Sequence, residues 1–167
     1  PSGTPHTKMD VLRAENLTTP QLEEEYSFFY PARKHYARGK DSSAPRLTEW
    51  VDVDTDGSYM KRFGKAGCGI FFAPHDSRNR SFLLTDQQPP SSPVTNNRAE
   101  LLSIVVALEE NQVNLRVKTD SQTTIFGIEK LNSICFKKMR KAKNRDLYVR
   151  LRKVLMTRFR QGLRQVF

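Results

Sequence analysis

Residues 96–110, "NNRAELLSIVVALEE", limit the possible folds more than any other stretch of this chain. The spacing is helical, an Asn stands at the capping position, and apolar side chains wrap well over half the cylinder. A helix that apolar must be largely buried, and the sequence on either side supplies a sheet to bury it. "EWVDVDT", from Glu49, alternates with period two: Val51, Val53 and Thr55 face one way, and Trp50, Asp52, Asp54 and Asp56 the other. "GCGIFF" (67–72) and "RSFLLT" (80–85) read as two further strands. The intervening "GSYMKRFGKAG" and "PHDSRN" are turn-like, so the three strands form an antiparallel meander. "DQQPPSSPVTN" is a loop, rich in residues that cannot continue a strand.

After the apolar helix, "VNLRVKT" (113–119) alternates again, and "SQTTIFGIEKLNSICF" opens a second helix. "NRDLYVRLRKVLMTRFRQ" (144–161) is a third. Leu147, Leu151, Val154, Leu155 and Phe159 form its apolar stripe, and arginines and lysines cover the remainder. "LRQVF" opens a fifth strand where the chain stops. A strand that follows a helix that follows a meander needs a crossover onto a parallel partner. The expected class is therefore α/β, with a mixed sheet and flanking helices.

Residues 1–46 read as an irregular extension to a domain spanning 47–167. Prolines at 1, 5, 20, 31 and 45 interrupt them, and no period is sustained. Aromatics and cations alternate in "EEEYSFFYPARKHYARGK", a pattern suited to docking on another protein, to stacking on bases, or to packing on its own domain. No apolar run approaches the roughly 18 residues of a membrane span, and the N-terminus lacks the apolar stretch of a signal peptide. Pro1 stands where an initiator Met would, as it would after removal of a leader or tag. Cys68 and Cys135 make no disulfide framework, which suits a reduced intracellular compartment; mitochondrial and nuclear locations both fit.

The net charge is +10, and it is concentrated. Residues 137–164 hold twelve Lys/Arg against one acid, Asp146, so the rest of the chain carries −1. A block of that kind points to a polyanion, usually nucleic acid. The plainer reading is a solvated helix face.

Ligand sites in mixed sheets form beyond the strand ends. Three acids fall there: Asp56 late in the first strand, Glu100 in the first turn of the apolar helix, and Asp120 at the end of the fourth strand. Each has an ordinary explanation alone, as a turn residue, a helix N-terminal charge and an N-cap. Together, three like charges converging on one place require a cation. An all-oxygen set suits Mg²⁺ or Mn²⁺ better than zinc. Two such ions about 4 Å apart can activate water and stabilise a leaving oxygen in phosphodiester hydrolysis. Nothing competes with that reading: there is no Ser-His-Asp set and no phosphate-cradling glycine loop, and His6, His35 and His75 are scattered.

"TDGS" (55–58), "TNNRAELL" (95–102) and "TDSQ" (119–122), in that order and between those elements, resemble type 1 ribonuclease H; "NRDLYVRL" is similar to that family's helix after its basic protrusion. The resemblance spans about residues 49–167. It implies a ribonuclease H-like fold and metal-dependent endonucleolytic hydrolysis of RNA in RNA/DNA hybrids. It also implies that Asp56, Glu100 and Asp120 are the catalytic, metal-binding residues. Asn97 and Gln122 would contact the hybrid through its minor groove, where 2′-hydroxyls are exposed, and Thr95 and Asn96 would lie near a backbone phosphate. Lys137, Lys138, Arg140, Lys141 and Lys143 would belong to the basic protrusion that grips the duplex. The family's fourth carboxylate, an Asp in the helix after strand five, and the His preceding it have no counterpart before Phe167, so the resembling region is C-terminally truncated. That implies weak or absent activity for this chain alone. The alternative is a non-catalytic RNA-binding scaffold subunit of a large ribonucleoprotein such as a mitochondrial ribosome, with the extension available to protein partners. Asp54 then reads as a surrogate ligand or, more plainly, as a hydrogen-bonded residue or, like Asp52, as one at an exposed edge.

Overall fold

The computed structural model describes residues 50–131 and 142–167. The extension 1–46 and the basic residues Lys137, Lys138, Arg140 and Lys141 lie outside the described residues. Strand β1 (Trp50–Met60) pairs antiparallel with β2 (Lys65–Phe71), and β2 pairs antiparallel with β3 (Arg80–Leu83). Helix α1 (Asn96–Glu110) then leads to β4 (Asn114–Lys118), which runs parallel to β1. Helices α2 (Gln122–Lys130) and α3 (Arg145–Arg160) precede β5 (Gln165–Val166), which pairs parallel with β4. The sheet order is β3-β2-β1-β4-β5, the mixed sheet expected from the alternation of periods.

The period-two pattern of β1 is realised in its burial. Val53, Thr55 and Gly57 are buried, while Asp52, Asp54, Asp56 and Ser58 are exposed on the opposite face. Helix α1 packs on the buried face of β1 and β2, and α2 and α3 pack against α1. Residues 98–108 of α1 are all buried, including Arg98, Glu100 and Ser103. This helix is apolar all round because the sheet lies on one side of it and two helices on the other.

Several sequence expectations are corrected. The segment 57–67 is mostly strand: β1 continues to Met60, β2 begins at Lys65, and only Lys61–Gly64 turn the chain, with Gly64 left-handed at φ 59°. Backbone pairing through 57–60 outweighs weak local β-propensity. The third strand is shorter than expected, ending at Leu83 before a 3₁₀ turn at Leu84–Asp86. The edge reading of Asp52 and Asp54 fails, because β1 is the central strand and the two residues stand on its exposed face. There Asp52 meets Arg116, its register partner on β4, at 2.6 Å, and the guanidinium holds its carboxyl below the usual range. Thr95, rather than Asn96, caps α1: its side chain accepts from the Arg98 backbone N–H at 3.2 Å.

The basic residues of α3 and the turn before it are divided. Lys143, in the turn before the helix, and Lys153 and Arg160 are exposed, whereas Arg152 and Arg158 are buried. Arg150 spends its charge on Glu109 of α1 at 2.6 Å, in a mostly buried pair. Arg98 is 2% exposed and grips both carboxylate oxygens of Asp146, at 2.8 and 2.7 Å, while its Nε donates to Gln88. That fork ties the start of α1 to the start of α3, and its planar geometry suits guanidinium rather than ammonium.

Candidate metal centre

The β1–β4 ladder stops at Asp54 opposite Lys118, while β1 continues on β2 alone. A gap opens at that switch between a parallel and an antiparallel neighbour, the position at which open α/β sheets place ligands. The Thr55 hydroxyl donates to the Lys118 carbonyl at 3.3 Å, fastening the end of β4 beside Asp56. The Ser103 hydroxyl, on α1, lies 2.8 Å from the carbonyl oxygens of Asp56 and Ala99 and donates to one of them at a time. Strand, strand end and helix are thus hydrogen-bonded around one point.

The three acids meet there. One carboxylate oxygen each from Asp56, Glu100 and Asp120 lies within 4.8 Å of the others. Asp56 and Asp120 are exposed, and Glu100 comes from beneath, buried at 4%. Their ordinary explanations do not survive. Asp56 is inside a continuous strand rather than a turn. Glu100 is the fifth residue of α1, one turn too far in to answer the helix N-terminus. The N-cap of α2 is Ser121, which accepts from the Thr124 N–H at 3.3 Å, so Asp120 is not consumed as a cap.

Glu100 carries the electrostatic strain. Burial raises its carboxyl from 4.5 to about 7, and the charges of Asp56 and Asp120 push the same way, partly offset by a hydrogen bond from the Gly57 backbone. Its Oε2 is buried and has no hydrogen-bond partner. A buried carboxylate with an orphaned oxygen, grouped with two more carboxylates, fits a hard cation with oxygen ligands. The chemistry of Asp56, Glu100 and Asp120 therefore fits a hard divalent cation.

A pH dependence follows. Glu100 binds its proton more tightly when folded, so its contribution to stability is full below about pH 4.5 and is lost as pH rises through about 7. Without divalent ions, Glu100→Gln should therefore be more stable than the parent at pH 8, by an amount on the order of 2–3 kcal/mol, and equal to it near pH 4. Urea unfolding in chelator at both pH values measures this. A constant difference between the two proteins across that range would contradict it.

The other sequence-predicted residues border the cluster by chain position. Thr95 caps α1, and Asn96 and Asn97 are exposed in its first turn. Gln122 is exposed at the first position of α2, two residues after Asp120. Asp54 is outside the three-acid group. It lines a shallow groove of about 400 Å³ on the exposed face, with Asp56, Gly69, Phe71, Arg80 and Ser81.

Sequence reasoning missed the supports. Thr55 and Ser103 look like any strand Thr and helix Ser. Gly57 had a signal, since Gly directly after a strand carboxylate suggests close backbone approach. A Cβ there would stand 2.3 Å from the Glu100 nitrogen and 2.6 Å from the Ala99 carbonyl carbon. The missing side chain is what lets α1 bring Glu100 up to β1.

The family model described as RNase H matches residues 49–162. A ribonuclease H of the yeast Schizosaccharomyces pombe (strain 972) is 39% identical over 79 residues, 46% of this chain and 28% of the yeast protein. The matched region therefore spans less than a third of that relative's length. The crystal structure of RNase H1 from the halophilic archaeon Halobacterium salinarum NRC-1 aligns with a TM-score of 0.41 at 20% identity, over 71% of this chain and 84% of that one.

Proposed function

The chain belongs to the ribonuclease H family, and from that premise we propose that it binds RNA/DNA hybrids and hydrolyses their RNA strand with Mg²⁺ or Mn²⁺ held by Asp56, Glu100 and Asp120. One observation carries the reading: three carboxylates within 4.8 Å, one of them buried with an orphan oxygen, at the switch point of the sheet.

Bound there, divalent ions supply activation of the attacking water and stabilisation of the leaving oxygen. The chain's own residues do the rest. Asp56 and Asp120 present carboxylates at the open mouth of the site, where a phosphodiester can approach, while Glu100 closes its floor. Thr55, Ser103 and Gly57 keep the three at fixed separation, and that rigidity favours in-line displacement. Asn97 and Gln122 donate to minor-groove edges and 2′-hydroxyls, which distinguish the RNA strand. Thr95 and Asn96 meet a backbone phosphate. Lys143 and the basic residues 137–141 supply salt-sensitive attraction to the duplex.

The test is cleavage of an end-labelled RNA/DNA hybrid by the 167-residue chain in Mg²⁺, in Mn²⁺ and in chelator, beside Asp56→Asn. Weak cleavage that needs the ion and disappears in the variant is the expected result. Intact hybrid, with hybrid or structured RNA still bound, would overturn the hydrolytic reading and leave a nucleic-acid-binding scaffold.

A further inference from the structure

Beyond the carboxylates, β1 runs on for four residues into a hairpin tip of unusual surface chemistry. Phe63 is 64% exposed, Tyr59 43% and Met60 39%, three of the five exposed large apolar side chains among the described residues. They are interleaved with Lys61, Arg62 and Lys65, all exposed, and no acid occurs between Asp56 and Asp76. The Arg62 guanidinium stands over the Phe63 ring at 5.7 Å, so the ring's surroundings are cationic. Such a surface repels basic partners and complements a polyanion.

An exposed strand face also joins the tip to the site. Asp56, Ser58 and Met60 alternate onto one face of β1, and Lys65 lies opposite Met60 in register. A continuous exposed track therefore leads from the metal-binding carboxylates to the tip. Its length is about 13 Å from Asp56 to Met60, roughly four nucleotide steps along a strand.

Cations alone would suit a duplex backbone. An exposed phenyl ring does not, because the π-faces of paired bases are already stacked on one another. It is suited to a base that has left the stack, and such stacking tolerates any sequence. We propose that the tip of the β1–β2 hairpin holds an unpaired nucleotide flanking the hybrid, with Phe63 as the stacking surface and Lys61, Arg62 and Lys65 on the adjoining phosphates. The substrates so favoured are hybrids that continue into a single strand. The inference rests on the hybrid reading above and narrows its substrate class.

Equilibrium binding by the full chain in chelator tests it. The probes are a blunt RNA/DNA hybrid and the same hybrid with a four-nucleotide extension at each of its four ends in turn, carrying 2-aminopurine in the extension. One extension should bind about ten-fold more tightly than the blunt duplex and show quenched fluorescence. Phe63→Ala should return it to the blunt affinity, and Phe63→Trp should keep the preference. Replacing Lys61, Arg62 and Lys65 with Gln should weaken both probes and flatten the salt dependence. Equal binding of blunt and extended hybrids, or a preference that survives Phe63→Ala, would overturn this inference while leaving hybrid cleavage standing. Failure to bind any hybrid would remove the underlying reading with it.

Discussion

Gly57→Ala is expected to destabilise the chain by about 3 kcal/mol or more and to weaken divalent-ion binding at the same time. The added methyl would sit 2.3 Å from the Glu100 nitrogen and 2.6 Å from the Ala99 carbonyl carbon, and both are backbone atoms of a buried helix. A flexible side chain could swing aside, but α1 cannot, because residues 98–108 are buried along it. Relief must come from moving the helix off β1, which opens the core between them and carries Glu100 away from Asp56. Gly67→Ala on the paired strand is the control: its methyl meets only the Ser58 hydroxyl at 3.3 Å. Urea denaturation reports the stability change, and calorimetric titration with Mn²⁺ reports the site. A Gly57→Ala protein as stable as the Gly67→Ala control would show that α1 does not approach β1 this closely.

Arg158→Met is the second large effect, at about 3–5 kcal/mol. Arg158 is 1% exposed, and its donors serve the Leu108, Asn111, Val113 and Arg164 carbonyls and the Gln165 side chain. It therefore satisfies the end of α1, the connection into β4 and the entry to β5 at once. Methionine fills the volume and leaves those acceptors buried without donors, the costly case for a polar group. Burial draws the guanidinium down to about 10, so it remains charged at neutral pH. Arg158→Lys should recover little, since an ammonium cannot spread donors over so wide a fan. Urea unfolding of both variants measures this, and a loss below about 1 kcal/mol in the methionine variant would refute it.

The two sites differ in how readable they were. Asp56, Glu100 and Asp120 could be picked out because a carboxylate at the end of each alternating or helical run is a local pattern. Arg158 could not. On a helical wheel it falls on the apolar stripe of α3, three residues after Leu155 and four after Val154, and nothing in that local pattern names the carbonyls that α1 and the approach to β4 bring round to it. Arg98 is similar: its partner Asp146 lies 48 residues away, across a helix, a strand and another helix. Asp52 also needed the structure, since its neutralising Arg116 is on a strand 64 residues later. Long-range pairs of this kind leave no periodic trace.

The sequence by itself determined the alternation of strand and helix, the burial of α1, the parallel crossover and the identity of the three acids. Each of those depends on periodicity or on residue type at an element's end, which are properties of neighbouring positions. Tertiary structure alone decided that β1 is central, that its aspartate face is open, and that β1 outlasts β4 by enough to make a gap. It also decided that an absent Cβ at Gly57 admits Glu100, and that the hairpin tip leaves Tyr59 and Phe63 exposed. Those features depend on which segments meet across the fold. Packing and hydrogen-bond satisfaction choose such meetings for the whole molecule at once, and no short window of sequence contains them.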